Sequence, residues 1–493
     1  MFGQLLVKGS YTTMPLDNLG RKMNILKRFQ TLGAGLSRLT ERWIPDSWII
    51  CMILTGVTIL LAVFGAGAGT GEPLAERVEG AVLAWGGGMW NLLELAMQFT
   101  LAMVVAHACV SSRPVFHLLD RFAAIPNPDR PGQAIAVACT FSYVTGYLNW
   151  AFCIVSCALF VPFLCKHNPK ADIRVLIVAC FIAFGTVWHG GLSGSAPLIM
   201  ATPGNPLIEP ATGAPIIDEL IPVTETLFNP YNVAYLIFLA GVGLCAVLAV
   251  HPAEPDRVTL TPEQVEAIIP TPPEIPEERD SPAGRIDRSR IWTLLAAALI
   301  LYPLGHAIIT QGFGRAWNIN AYNMTFLAAA LLLHGRPDSF VRACQAGVGA
   351  SWGIILQFPF YAGIFGIMNN TDLGFWLGGL FADVSSPRLF PAFVFLYSAV
   401  MNLFVPSAGS KWLIEAPYLI PAAQELGVSV KTVIFAYMYG DSTSNLIQPF
   451  WYLPLLAVTR LRFGDIVGYA FLVATICAIS GICFMLLIPL DVT

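Results

Sequence analysis

The sequence predicts an all-α polytopic membrane protein built from two inverted, related halves, and three observations predict it. The 493 residues are 56% hydrophobic and only 12% charged, with a mean hydropathy of +0.66. A soluble domain is nearer a quarter charged, because water must solvate its surface. Apolar stretches of membrane length recur from residue 48 to residue 490. Finally, a set of short motifs in the first half reappears in the same order in the second, on either side of a charged, proline-rich segment.

The elements follow in order. Residues 1–47 carry Lys8, Arg21, Lys22, Lys27, Arg28, Arg38 and Arg42 ahead of the first apolar run. They lack the short apolar core and small-residue cleavage site of a signal peptide. Residues 21–44 have the pattern of a basic amphipathic helix lying on the membrane surface. Glu72, Glu76 and Glu79 follow the first run, and Arg113, Arg121 and Arg130 follow the second. The positive-inside rule therefore places the N-terminus in the cytoplasm and 69–90 outside. Apolar stretches cover 48–68, 92–112, 134–164, 173–188, 231–250, 291–310, 321–334, 341–368, 389–406, 431–439 and 465–490. A crossing takes roughly 20 residues, so about ten to twelve membrane segments are expected, some of them not full crossings. Residues 48–250 and 291–493 form the two membrane repeats. Residues 251–290 form a charged, Pro-rich linker without a sustained apolar face. The net charge of −4 gives no sign of nucleic-acid binding. The 11 cysteines lie mostly in apolar runs and read as small buried hydrophobes rather than metal ligands.

Within the repeats, Gln98-Phe99 corresponds to Gln357-Phe358, and without a gap Phe122-Ala123 corresponds to Phe381-Ala382. Asn149-Trp150 then faces Asn402-Leu403. The segment from His189 to Pro197 faces the one from Tyr439 to Pro449. Both of these last segments are small-residue, hydroxyl-rich breaks in apolar surroundings. Unpaired backbone is tolerated at membrane depth only where it is buried or lines a cavity. A break offers helix-end N–H groups to an anion and free carbonyls to a cation. Gly190, Gly191 and Gly194 let the chain unwind there. Ser193, Ser195, Ser442, Thr443, Ser444 and Asn445 supply neutral oxygens and an amide, joined by Asn149, His189, Asn402, Ser407 and Ser410 as candidate substrate contacts.

Charged residues inside apolar segments mark function or pairing. Lys411 and Glu415 sit four apart and share one helical face. They read equally as a substrate-facing pair or as an internal ion pair. Asp441 opens the second break and is the stronger single candidate. Glu94 is a further candidate proton site or a partnered buried carboxylate. Asn149, Ser195, Asn402 and Asn445 suit Na⁺, which takes oxygen ligands. Glu415 or Asp441 suits H⁺, and Ser444 lies among the same coupling residues.

These residues carry a resemblance. RWIPD (42–46), WGGGMWNLLELAMQ (85–98), WHGGLSGSAPL (188–198), ATPGNP (201–206), QFPFYAGI (357–364) and IQPFWYLPLLA (447–457) resemble the short-chain fatty acid transporters of the ion transporter superfamily. The likeness implies a scaffold domain and a transport domain that moves as an elevator, in protomers that pair as homodimers. It also implies re-entrant hairpins near 142–164 and 398–423, with broken helices near 185–199 and 437–451. This chain departs from the family pattern in the presumed binding region. Lys411 stands where a polar neutral residue follows a glycine run, and Glu415 stands near a usual Gln. Ser442-Thr443-Ser444 lacks an aromatic, and Ala151, Cys153, Ser156 and Cys157 replace glycines.

The expectation is thus a cation-coupled symporter of short-chain fatty acids or similar small carboxylates in the plasma membrane. It would need no cofactor beyond the coupling ion, Na⁺ or H⁺. A carrier for a different anionic metabolite or an anion channel is the alternative. An intramembrane enzyme fits least, because the seven histidines form no H-E-x-x-H and the chain has no nucleophile elbow.

Overall fold

The computed structural model describes residues 47–69, 71–207, 215–269, 281–349 and 351–492. The basic N-terminal segment and its amphipathic helix lie outside the described residues. The described residues are 76% helical, and no strand occurs among them.

The first half runs α1 (Ser47–Phe64), α2 (Leu74–Gly88), α3 (Leu93–Val110), α4 (Arg113–Ala123), α5 (Pro131–Leu148), α6 (Trp150–His167), α7 (Ile173–Phe181), α8 (Ser195–Ala201) and α9 (Pro230–Ala249). The second runs α10 (Arg290–Gln311), α11 (Ile319–His334), α12 (Pro337–Val348), α13 (Trp352–Asn370), α14 (Leu373–Asp383), α15 (Phe390–Phe404), α16 (Ala408–Glu425), α17 (Val430–Asn445), α18 (Pro449–Thr459) and α19 (Phe463–Leu487). Among the described residues, seven helices are long and apolar enough to cross a membrane, and four shorter apolar helices accompany them. Helix α10 exposes Ile291, Leu294, Leu299, Tyr302 and Ile309. That side has no protein to bury it, which is how a lipid-facing helix looks.

Local chemistry sets the boundaries. Asn149 splits the long 134–164 run. Its extended backbone ends α5, and its side chain accepts the Phe152 N–H at 2.9 Å to start α6. Asp172 caps α7, accepting N–H groups from Arg174 and Val175. Gly335, with φ of 64°, closes α11 in the left-handed conformation that glycine adopts without strain. Prolines sit inside α6, α10, α13, α16 and α18, as is common in membrane helices, where neighbours re-pair the freed carbonyls.

Several sequence expectations change here. The stretch 69–90, read as an acidic outer connection, holds helix α2, which packs along α13. The contact is tight because glycines face each other: a Cβ on Gly88 would lie 2.6 Å from the Cα of Gly366. The single run 341–368 is two helices, α12 and α13, parted at 349–351. The 173–188 run ends earlier, at Phe181, and continues as one 3₁₀ turn over Ile182–Gly185. Helices α14 and α18 are too short to register as spans. Part of the 251–290 segment is docked. Val258 N–H donates to Asp172 at 2.9 Å, and the Ile173 N–H donates to the Val258 carbonyl at 3.0 Å.

The core centres on two interrupted segments, α7 to α8 and α17 to α18. Helix α7 is buried except at Arg174, and α17 is buried from Thr432 to Asn445. Helix α5 packs on α7, and α15 packs on α17. Helices α6 and α16 also reach across: α6 packs on α18 as well as on α7, and α16 packs on α8 as well as on α17.

Candidate functional site

Four chain breaks converge at the centre. The α5–α6 break at Asn149 docks on the α7–α8 break. Leu192 N–H donates to the Tyr147 carbonyl at 2.7 Å, and Trp150 N–H donates to Ser193 Oγ at 3.0 Å. The α15–α16 break docks on the end of α17 in the same manner. The Asn402 amide donates to the Asp441 carbonyl at 2.9 Å, to Ser444 Oγ at 3.0 Å and to Asn445 Oδ1 at 2.7 Å. The two docked units are tied together by Asn445 Nδ2, which donates to the Phe184 carbonyl at 3.2 Å.

The three glycines after His189 serve close packing of the chain on itself. A Cβ on Gly191 would lie 2.5 Å from the Tyr147 carbonyl oxygen, and one on Gly190 would lie 2.8 Å from Asn232 Oδ1. A Cβ on Gly194 would run into the His189 carbonyl. Thr443 bonds back to the Tyr439 carbonyl at 2.7 Å, and Ser410 donates to Ser407 Oγ at 2.7 Å.

A cavity of about 170 Å³ opens at this junction. Of the residues singled out in the sequence, Ser195, Asn402, Ser407, Asp441 and Asn445 form its wall. Asn149, His189, Gly190, Gly191, Ser193, Gly194, Ser410, Lys411, Glu415, Ser442, Thr443 and Ser444 stand behind it. The wall is mostly apolar and carries eight aromatic side chains, among them Trp150, Phe184, Trp188 and Trp451, which pack together, and Phe99 with Phe358. Sequence reasoning passed over these rings as site residues. The available signal was position: Trp150 follows Asn149, Trp188 precedes the first break, and Trp451 follows Pro449.

The start of α16 also reaches the cavity. Ser407, Ala408 and Gly409 line it, and the Ser407 side chain makes no capping hydrogen bond. The first free N–H groups of an 18-residue helix therefore border the space, where the helix dipole favours negative charge. Helix α6 differs, since Asn149 and Ser193 already occupy its first N–H groups.

Charge lies directly behind the wall. Lys411 Nζ is 3.2 Å from Asp441 Oδ1, 3.7 Å from Glu415 Oε1 and 3.2 Å from the Ser398 carbonyl. It also sits 4.1 Å above the Tyr437 ring. His189 Nδ1 is 3.2 Å from Asp441 Oδ2. All four side chains are at most 1% exposed. The geometry thus makes Lys411 and Glu415 part of an internal cluster, with only Asp441 reaching the cavity. Glu94, read as a proton site or a partnered buried carboxylate, is exposed in the first turn of α3, where Gln98 donates to it at 3.2 Å. No group of His, Cys, Asp and Glu side chains fit to hold a metal ion occurs among the described residues.

A multi-helix bundle whose apolar helices have interruptions meeting at a buried cavity is the architecture of a membrane transporter, and solved transporters share the fold. The YdaH transporter of Alcanivorax borkumensis superposes with a TM-score of 0.56 at 15% identity, covering 90% of this chain and 98% of that one. MtrF of Neisseria gonorrhoeae, described within a class of antimetabolite efflux pumps, gives 0.55 at 14% identity, covering 94% and 97%. The sequence is more specific. The family model "Short chain fatty acid transporter" matches residues 28–488. The "Putative short-chain fatty acid transporter" of Escherichia coli K12 is 36% identical over 92% of this chain and 97% of its own length. The protein of the same description from Haemophilus influenzae is 32% identical over 88% and 94%. The chain belongs to the short-chain fatty acid transporter family. It is an integral membrane protein and not an enzyme.

Proposed function

We propose that the protein is a cation-coupled symporter that carries short-chain fatty acids or similar small carboxylates across the plasma membrane. The observation that carries this reading is the cavity itself, apolar and rich in aromatic side chains over most of its wall and polar where the four breaks meet. Its 170 Å³ suits a small acid better than a drug-sized ligand, whose pockets run to about 300–1,000 Å³. The carboxylate lies at the start of α16 with Asn402, Asn445 and Ser195, and the alkyl tail lies against Trp150, Trp188 and Trp451. The hydrophobic effect favours such burial of methylenes by about 0.8 kcal/mol each.

Alternating access follows from two inverted repeats, 48–250 and 291–493, joined by the 251–290 segment. The helix bounds support the repeat. Leu93–Val110 and Arg113–Ala123 recur as Trp352–Asn370 and Leu373–Asp383, and the crossed packing of α6 on α18 and α16 on α8 suits a pseudo-symmetric unit. The α5–α6 and α15–α16 pairs act as re-entrant hairpins of a transport domain that moves as an elevator against a scaffold. The protomers pair as homodimers with the N-terminus in the cytoplasm. The coupling cation, Na⁺ or H⁺, offsets the substrate's charge.

Uptake of labelled butyrate, acetoacetate and a four-carbon dicarboxylate into proteoliposomes, under an imposed Na⁺ or H⁺ gradient, tests the proposal. Concentrative uptake of one of the monocarboxylates is expected. Absence of both uptake and counterflow for all three would refute it.

A further inference from the structure

The cluster behind the cavity wall contains one ammonium, two carboxyl groups and one imidazole, and the contacts of the two carboxyls differ. The backbone N–H of Ala196 donates to His189 Nε2 at 3.3 Å. That nitrogen is therefore an acceptor, the ring is neutral, and its proton lies on Nδ1 toward Asp441. Asp441 has the Lys411 ammonium 3.2 Å from one oxygen and His189 Nδ1 3.2 Å from the other, both at ion-pair distance. It is the carboxylate that the ammonium approaches more closely. Glu415 has the same ammonium farther off. Ser398 Oγ shares a hydrogen bond with its Oε2 at 2.8 Å, and Lys411 stands 3.7 Å from Oε1, beyond hydrogen-bond range.

The remaining titratable groups that face the cluster are phenols: Tyr397 of α15, Tyr418 of α16 and Tyr437 of α17. The first two bond each other at 2.7 Å, and Tyr437 donates to the Ala408 carbonyl. Among the described residues, no charged side chain of α8, α13, α14, α15 or α19 forms an ion pair with Lys411, Glu415, Asp441 or His189. With both carboxyls ionised, the cluster would carry a net negative charge, sealed from water, that no neighbour balances.

We infer that Glu415 binds the coupling proton, so that the carboxylate is carried with H⁺ rather than Na⁺. Lys411 is a built-in cation that occupies the oxygen cage of Asp441 and the Ser398 carbonyl, where a free cation would otherwise sit. Asp441 is the link to the substrate because it belongs to both the cluster and the cavity wall. A carboxylate arriving beside it adds negative charge, which favours protonated Glu415. By reciprocity, the proton favours the carboxylate. The inference rests on the proposed carboxylate transport.

Calorimetry of butyrate binding to the purified full-length protein, in alkaline buffers of different ionisation enthalpy and with and without Na⁺, reads the protons taken up. Wild type takes up about one proton per butyrate, loses up to about tenfold in affinity per pH unit above the titration of Glu415, and shows no dependence on Na⁺. Glu415→Gln binds butyrate without proton uptake. Infrared spectra of the wild type show a protonated-carboxyl band that butyrate strengthens, a readout independent of the variant's folding. Butyrate binding that needs Na⁺, or that takes up no proton at any pH, overturns the inference and leaves carboxylate transport standing. If butyrate, acetoacetate and the dicarboxylate all fail to bind, the transport reading falls and this inference falls with it.

Discussion

Lys411→Met removes the single ammonium from the buried cluster while keeping most of its side-chain volume. The residue is 0% exposed, and its Nζ neutralises Asp441 at 3.2 Å. Deleting one partner of a buried ion pair costs about 3–5 kcal/mol, because the other charge is left uncompensated. Unfolding entropy is about 2.1 cal/mol/K per residue, or about 1 kcal/mol/K for a chain of this size, so the midpoint should fall by about 3–5 °C. The assay is thermal unfolding of the purified protein, followed by fluorescence-detected size exclusion. The double variant Lys411→Met, Asp441→Asn removes both charges of the close pair and should recover more than half of the loss, since the cost lies in the orphaned carboxylate. A single variant within about 1 °C of wild type, or a double variant whose losses simply add, would refute the view that these charges depend on each other.

Three further outcomes follow from other parts of the molecule. Trp451→Ala enlarges the aromatic wall of the cavity, and two further methylenes could then be buried, so the uptake ratio of hexanoate to butyrate should rise about tenfold; an unchanged ratio would remove Trp451 from the tail site. Gly191→Val forces a side chain into the Tyr147 backbone, so transport should be lost with the first hairpin displaced; full activity in proteoliposomes would show that this contact is dispensable. His251, whose Nε2 accepts the Asp172 N–H at 3.4 Å, is held below the ordinary histidine value by partial burial and then by Arg257, against an opposing pull from Asp172. A group with a depressed folded value contributes stability above its free value and loses it as pH falls. Intrinsic-rate-corrected hydrogen exchange at Ile173 and Val258 should therefore quicken below pH 6.5, and exchange that is flat with pH would exclude His251 from this clasp.

Membrane class and helical content were legible because they depend on composition and run length alone. The interruptions were legible too, since an Asn, a Gly cluster or a Pro in an apolar run has few other uses at membrane depth. Asn149, at the α5–α6 junction, and Asn402, in the last turn of α15, show this best, each holding an adjoining segment by hydrogen bonds. Helix α2 was not legible as a helix. Its Glu76, Arg77 and Glu79 suggest a solvated loop, yet its glycines admit α13 at backbone distance. Only the partner's own glycines, nearly 280 residues away in sequence, make that segment a packing surface.

The structure arranges the residues singled out in the sequence in two layers. Hydroxyls, amides and charges attract notice in an apolar sequence, so the Gly190–Gly194 run looked like ligand contacts, while Lys411 and Glu415 read equally as a substrate-facing pair or an internal ion pair. Burial favours the internal pair. A charge deep in lipid-embedded protein needs partners first, and Lys411 has three oxygens and a ring within reach. Little of it remains for a substrate. The rings that do face the cavity are ordinary members of a sequence that is 12% aromatic, and nothing in their spacing separates a wall from a core. What separates them is the break beside each one. Trp150, Trp188 and Trp451 stand within a few residues of the breaks that follow Leu148, Gly185 and Asn445, and all three line the gap. The aromatic wall and the polar breaks are thus one feature, and a small amphiphilic acid is the kind of molecule that meets both.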